Sequence, residues 1–378
     1  MSASLRVGAF LVAIFVPAGV MTAFLPLWLA DRGLSAADIG QVLGISTVAR
    51  LVAMPAWGRL ADRMGRRRPA LAWAGALAAL AAIAYLPAHG FLALLAVAIG
   101  QGGSASALMP LADALSLALS RERRLEYGRV RAVGSAAFMA ATALAGWLIG
   151  LWGIWIVPLL IAVPYAAGAA LTYTLPEAAS APAGPRGTGA VRLMTHRPFL
   201  LTLAASAIIQ GTHAAYYGLA SLHWRAHGLS EFTIGLLWAE GVLAETLLFF
   251  FGARVSRRIS PAGLTAMAAA CCVLRWAVTA TTTDVGALVA VQGLHGATYG
   301  MQHLSAMLLL SRTIPSGQAG AAQTLHAALG AAVPVGALMW LVGTAYDGSG
   351  SVFLAMAALG ALALPVAYAL RRYGLQSI

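Results

Sequence analysis

Charge is scarce in this sequence: 10% of the 378 residues are Asp, Glu, Lys or Arg, where a soluble domain carries roughly 25%. That deficit excludes a water-soluble surface. Lysine is absent, so all 24 basic residues are Arg. The two cysteines, Cys271 and Cys272, are adjacent within an apolar stretch, which excludes a disulfide framework and a metal-ligand spacing. His-Glu-x-x-His, Gly-x-Ser-x-Gly and the P-loop are all missing, so neither an enzyme nor ATP hydrolysis is expected, and no metal or cofactor. What is abundant is apolar: 60% of the residues are hydrophobic, and they come in long runs. About 20 such residues span the hydrocarbon core as a helix, because lipid forces backbone polar groups to pair internally.

The runs predict an all-α membrane protein with spans near 8–30, 36–58, 69–87, 91–119, 130–150, 153–175, 198–222, 231–252, 262–281, 284–311, 320–343 and 350–370. The first follows Arg6 and is too long for a signal-peptide core, so it reads as a retained span. The fourth and tenth are long, and are expected to tilt or to extend past the bilayer. With the N-terminus inside, 19 of the 24 arginines fall in cytoplasmic loops and only Arg32 and Arg225 face out. This bias orients the chain, both termini cytoplasmic, and makes nucleic acid an unneeded explanation for the +12 net charge. Residues 176–197 carry Pro182, Pro185, Gly184, Gly187 and Gly189, which is linker chemistry. They separate two expected six-helix bundles, 1–175 and 198–378. A faint repeat supports that division: Ile39-Gly40 and Ile234-Gly235 open the second and eighth spans, and Arg50 and Glu245 follow eleven positions after each Ile. Each of those spans is read as closing on a glycine, Gly58 and Gly252.

The sharpest motif is Gly58-Arg59-Leu60-Ala61-Asp62-Arg63-Met64-Gly65-Arg66-Arg67-Arg68. The glycines permit a tight turn, and Asp62 is placed to pair with neighbouring arginines or to cap a helix. It resembles the loop signature between the second and third spans of the major facilitator superfamily (MFS). The resemblance implies that fold, twelve helices in two pseudo-symmetric bundles. Gly58, Asp62, Arg63, Gly65 and Arg66, with Arg129 and Arg131 of a later basic stretch, are the expected gating residues. Further segments run colinearly along nearly the whole chain: Pro110-Leu111-Ala112-Asp113, Tyr127-Gly128-Arg129-Val130-Arg131, Gln210-Gly211-Thr212-His213, Leu274-Arg275-Trp276 and Val291-Gln292-Gly293-Leu294-His295. Together they resemble the bacterial 3-phenylpropionate transporter group, related to lactose and nucleoside proton symporters. That resemblance implies proton coupling and an aromatic carboxylic acid as cargo, in a bacterial inner membrane.

A charge at the bilayer centre costs about 2.5–3.5 kcal/mol, so intramembrane ionisable residues mark cavities, partners or proton paths. Arg50 suits a carboxylate through its planar fork; the alternative is a structural pair with Glu245 or Asp113. Glu245 is the expected proton site, because a carboxyl that loses an Arg partner to an incoming anion takes up a proton. Glu240 lies about 140° away on an ideal helix and reads as a vestibule residue. Asp113, after the helix-bending Pro110, is expected to face Arg131. Arg275 is read as the partner of Glu245 or of His303. His213, Gln210, Tyr216 and Tyr217 form a polar aromatic face suited to an aromatic solute. His295 and His303, eight apart, share a helix face, and His326 reads as packing. Arg50, Gln210, His213, Tyr217 and Arg275 are therefore the expected substrate contacts; Glu245, Asp113 and His303 the expected proton-coupling groups. Gly146 and Gly150 read as a close helix contact, and 136–150 lacks the proline of drug antiporters. The expected partners are a small-molecule substrate, protons and the bilayer, with the protein a monomer. Symport of a neutral sugar or nucleoside, drug efflux and a solute sensor on a transporter scaffold remain as alternatives.

Overall fold

Ala- and Leu-rich runs favour helix, and polar residues at the boundaries set where each begins. Ser2 accepts from the Leu5 amide at 3.3 Å. Ser35 and Asp38 form a reciprocal capping box, with amide-to-side-chain distances of 3.0 and 3.2 Å. Ser260 and Asp284 cap two later helices, each side chain accepting from the amide three residues on. The computed structural model describes residues 2–177, 192–315 and 318–374, and among them every regular element is helical. The central part of the expected linker, with Pro182, Gly184, Pro185, Arg186, Gly187 and Gly189, lies outside the described residues.

In chain order the helices are α1 (Ala3–Asp31), α2 (Ala36–Met64), α3 (Arg67–Ala84), α4 (Phe91–Arg121), α5 (Tyr127–Trp152), α6 (Ile154–Thr174), α7 (Arg197–Ala226), α8 (Glu231–Arg258), α9 (Pro261–Thr281), α10 (285–313), α11 (Ala319–Ala345) and α12 (Ser351–Tyr373). Among the described residues, all of these except α3 and the interrupted α10 are long and apolar enough to cross a membrane.

The chain divides into two compact units, Met1–Ala183 with Gly228–Ala239, and Gly184–His227 with Glu240–Ile378. In the first, α1 lies against α5 and α6, and α3 against α4 and α6. In the second, α9 lies against α10 and α12, and α7 against α10, α11 and α12. The first helix of each set is the most enclosed, 72% of the apolar window of α1 and of α7 being buried, against 28% for both α2 and α8. Equal enclosure at matching places is what a repeated architecture produces.

Three of the interrupted helices break where their chemistry dictates. α4 opens at Ser106 and Ala107, because Pro110 has no N–H for the Ser106 carbonyl. α7 opens at Thr212 and His213: the Thr212 hydroxyl donates to the Ile209 carbonyl at 2.7 Å and the His213 ring reaches the same oxygen at 3.0 Å, while the His213 amide turns to Gln210. Side chains that compete for a helix carbonyl bend the helix. α10 passes through a π-helical stretch, Gly296–Met301, a feature that recurs at functional sites.

The glycines near the signature loop correct one expectation. Gly58 and Gly252 do not end their helices; both sit inside continuous α-helix, because α2 and α8 run on through their basic residues to Met64 and Arg258. Gly65 does make the turn, in the left-handed region at φ +62°, its amide bonded to the Asp62 carbonyl. Gly146 gives the expected close contact, against the backbone at Glu231 and Phe232. A Cβ added at Gly150 would meet no neighbouring element within 4 Å among the described residues.

Candidate functional site

The second unit encloses a cationic cluster centred on Arg275 of α9, which is fully buried. The π stretch of α10 brings polar side chains to it. Gly296 has the Ala244 carbonyl so close that a Cβ there would meet it at 2.6 Å, so α10 touches α8 beside Glu245. Arg275 Nη1 donates to His295 Nδ1 at 2.9 Å and to Thr298 Oγ1 at 3.1 Å, and Nη2 donates to Gln292 Oε1 at 2.7 Å. The guanidinium also lies over the rings of Tyr216 and Trp276, 4.5 and 4.4 Å from their centroids, a favourable cation–π placement. Gln292 passes the bond on, its Nε2 donating to the Tyr216 hydroxyl at 3.0 Å.

Proton positions follow from the fact that guanidinium only donates. His295 Nδ1 must therefore accept, the ring is neutral, and its proton sits on Nε2. That nitrogen lies 3.8 Å from Glu245 Oε2. On the other side, His213 Nδ1 faces a carbonyl and so carries its proton. His213 Nε2, 3.1 Å from Thr298 Oγ1, accepts from that hydroxyl, which in turn accepts from Arg275. His213 stacks on Tyr217 at 5.8 Å and meets Trp276 and His295 edge-on. Gln210 is buried one turn away.

His303 is the expected residue that this geometry displaces. It lies two turns beyond His295, about 12 Å along an ideal helix, too far for the Arg275 fork. It stacks instead on Tyr299 at 6.4 Å and meets Phe249 edge-on at 5.9 Å. Tyr299 stacks in turn on His295 at 5.7 Å, so the two histidines share a face through an intervening ring. Arg275 thus has His295 as partner in place of Glu245 or His303. Gln292, His295 and Thr298 escaped the expected site, although polar residues at three-residue spacing on an apolar helix were the available signal. His326 hydrogen-bonds Ser206 at 2.8 Å, an oxygen it shares with Gln302, so it does more than fill space.

Arg50 lies in the first unit, half-buried on α2, against Gly102 of α4, where an added Cβ would come within 3.0 Å of its Nε. That Nε is buried with no hydrogen-bond partner among the described residues. Asp113 faces Arg131 Nε at 3.9 Å and accepts from the Tyr127 hydroxyl at 3.3 Å, as expected for it. Arg131 also lies over Phe15 at 4.6 Å. In the signature loop, no hydrogen bond or ion pair involves the Asp62 carboxylate among the described residues. Arg66 and Arg68 instead face Glu177, at 4.0 and 3.6 Å. Arg63 occupies the last turn of α2, where a cation complements the helix dipole, and Arg129 pairs locally with Glu126.

Residues 5–356 match the MFS_1 like family. The chain is 32% identical over 297 residues, 78% of both chains, to the probable 3-phenylpropionic acid transporter of Escherichia coli (strain K12). It is 26% identical over 326 residues to the maltose permease of Geobacillus stearothermophilus, covering 85% of this chain and 82% of that one. A crystal structure of the nucleoside transporter NupG superposes with TM-score 0.84 over 100% of each chain at 15% identity, a likeness of fold. The superfamily and branch resemblances read from the loop and the colinear segments are borne out, as is the all-helical MFS architecture. A chain of apolar helices around buried polar clusters, matched over most of its length, is thus a multi-pass membrane protein of the transporter fold and belongs to the MFS_1 like family.

Proposed function

We propose that this protein takes up a small organic carboxylic acid together with a proton, by alternating access of the halves 1–175 and 198–378. The observation that carries the proposal is the neutral His295 clamped between Arg275 and the Glu245 carboxylate. His295 can accept a second proton only at Nδ1, and that nitrogen is occupied by the guanidinium. Protonation and release of Arg275 are therefore one event. A proton taken up at Nδ1 frees a cation whose remaining partners, Gln292 and Thr298, are neutral, while the charge gained by the ring faces the Glu245 carboxylate through Nε2–H. A carboxylate cargo then supplies the missing acceptor through a charge-assisted bond.

Arg50 is the second anchor in this reading, a guanidinium with an unpartnered Nε in its own unit. His213 and Tyr217 offer ring faces for an aromatic cargo. The E. coli relative, a probable 3-phenylpropionic acid transporter, supports this cargo class. Gln210, with His303, Asp113 and the gating set of Gly65, Asp62, Arg63, Arg66, Arg129 and Arg131, is assigned supporting roles around these groups. The arginine bias of the loops supports an inner-membrane protein with both termini cytoplasmic, acting as a monomer. A neutral sugar is the second reading, favoured by the identity with maltose permease.

The test is uptake by proteoliposomes of a panel of aromatic acids, aliphatic acids and sugars, with and without an inward proton gradient. At least one acid is expected to accumulate only with the gradient. Gradient-driven accumulation of a sugar and of no acid would replace this reading by the second.

A further inference from the structure

A groove between α3 and α6 of the first unit takes no part in either arginine site. It encloses about 450 Å³, within the usual span of about 300–1,000 Å³ for ligand pockets. Its floor is made of small residues, Ala72 among them. Its rim carries two large aromatics left outside the core, Trp73 at 59% and Tyr173 at 81% exposure. At the helix end stand Arg66 and Arg68, both facing the single carboxylate of Glu177 at 4.0 and 3.6 Å. One carboxylate at those distances leaves a net positive charge. Arg68 Nε is also buried with no hydrogen-bond partner among the described residues. Beyond Trp73, α3 exposes Leu77 and Leu80, spaced so as to form one apolar stripe along the helix.

We propose that this groove seats an anionic phospholipid, its phosphate on Arg66 and Arg68 and its acyl chain along Trp73 and the stripe below. The grounds are charge complementarity at the helix end, joined to an apolar, aromatic-flanked path running from it. Basic pockets between membrane helices bind anionic head groups, and Trp and Tyr settle at head-group level. A soluble phosphate would use the arginines and leave the aromatic path empty. A zwitterionic lipid would gain nothing from the excess cation. Glu177 is the internal competitor, since a bound phosphate must take the guanidiniums from it. The charge variants are therefore expected to act in opposite directions.

The experiment uses the full-length protein purified in dodecyl maltoside and titrated with phosphatidylglycerol, phosphatidylcholine or inorganic phosphate, with bound species resolved by native mass spectrometry. Phosphatidylglycerol is expected to be retained over phosphatidylcholine. Arg66→Gln and Arg68→Gln should each weaken its retention by about fivefold, and Glu177→Gln should strengthen it by a similar factor. Trp73→Ala should lower retention of phosphatidylglycerol as well. Should an arginine variant fail to fold, Glu177→Gln still decides the matter. Equal retention of the two lipids, or a Glu177→Gln protein that holds phosphatidylglycerol no better than the parent, overturns the proposal. So does displacement of phosphatidylglycerol by equimolar inorganic phosphate, which would mark a site for the free ion.

Discussion

Two arginines lie deep in apolar helices of this protein, and their surroundings differ in kind. Arg275 in the second unit is fully buried, with three hydrogen bonds from its two terminal nitrogens and two aromatic rings against its guanidinium. Arg50 in the first unit makes no hydrogen bond or ion pair among the described residues, whereas both arginines leave a buried Nε without a partner there. A buried polar atom without a partner carries a cost. In the proposed function, that difference separates a cation held by its own protein from a cation that an outside anion would complete. Residue type alone does not draw that distinction; the neighbours do.

The largest expected effect comes from removing the held cation. In Arg275→Gln the acceptors on His295, Gln292 and Thr298 lose their donor inside the bundle, at about 1–3 kcal/mol for each group left unpaired. Transport should fall to background, and the thermal midpoint in detergent should drop by about 5–10 °C. Arg50→Gln should behave differently: KM for the acid rises about tenfold to a hundredfold, as for loss of a charge-assisted bond, while the midpoint moves by less than about 2 °C. An equal loss of stability in both variants would erase the contrast, because it would make Arg50 a structural residue too.

A smaller effect sharpens the proton side of the comparison. His295→Gln keeps a side chain able to face Arg275 but cannot take up a proton. Accumulation driven by a pH gradient should disappear while counterflow of preloaded cargo persists. His303→Gln, one stacked ring away from His295, should change gradient-driven accumulation by less than about twofold. Reversal of that order would return the coupling role to His303.

The smallest effects test the corrected reading of the loop. Gly65→Ala places a side chain at φ +62° and should lower stability by about 1 kcal/mol. Gly58→Ala sits in open helix interior and should be neutral or stabilising by up to about 1 kcal/mol. Paired thermal melts of the two variants are sufficient to check this.

Much of the fold was legible because its signals are one-dimensional. Apolar runs, arginine-rich loops and the Gly65 turn can be read along the chain, and the Asp113–Arg131 pairing followed from adjacent spans. The ends of α2 and α8 were misread because Gly58 and Gly252 interrupt hydropathy without interrupting helical hydrogen bonding. The Arg275 cluster was half legible. Arg275, His213 and Glu245 stood out as charges or rings in apolar helices, but the choice between His295 and His303 depends on where α10 meets α9. The local π-helical winding and the Gly296 contact with α8 fix that meeting point, and neither has a hydropathy signature. Gln292 and Thr298 were overlooked for a related reason, since uncharged polar residues are common at membrane helix contacts.

The central claim is that cargo and proton move together because one ring nitrogen cannot hold both a guanidinium and a proton. Its most direct test is the internal pH of vesicles loaded with a fluorescent pH indicator, followed as an aromatic acid salt is added outside with no gradient imposed and the membrane voltage clamped. The lumen should acidify in step with uptake through the parent protein, beyond the drift of protein-free vesicles, and should not do so through His295→Gln. Cargo entering through the parent protein with no protein-dependent change of internal pH would contradict the account.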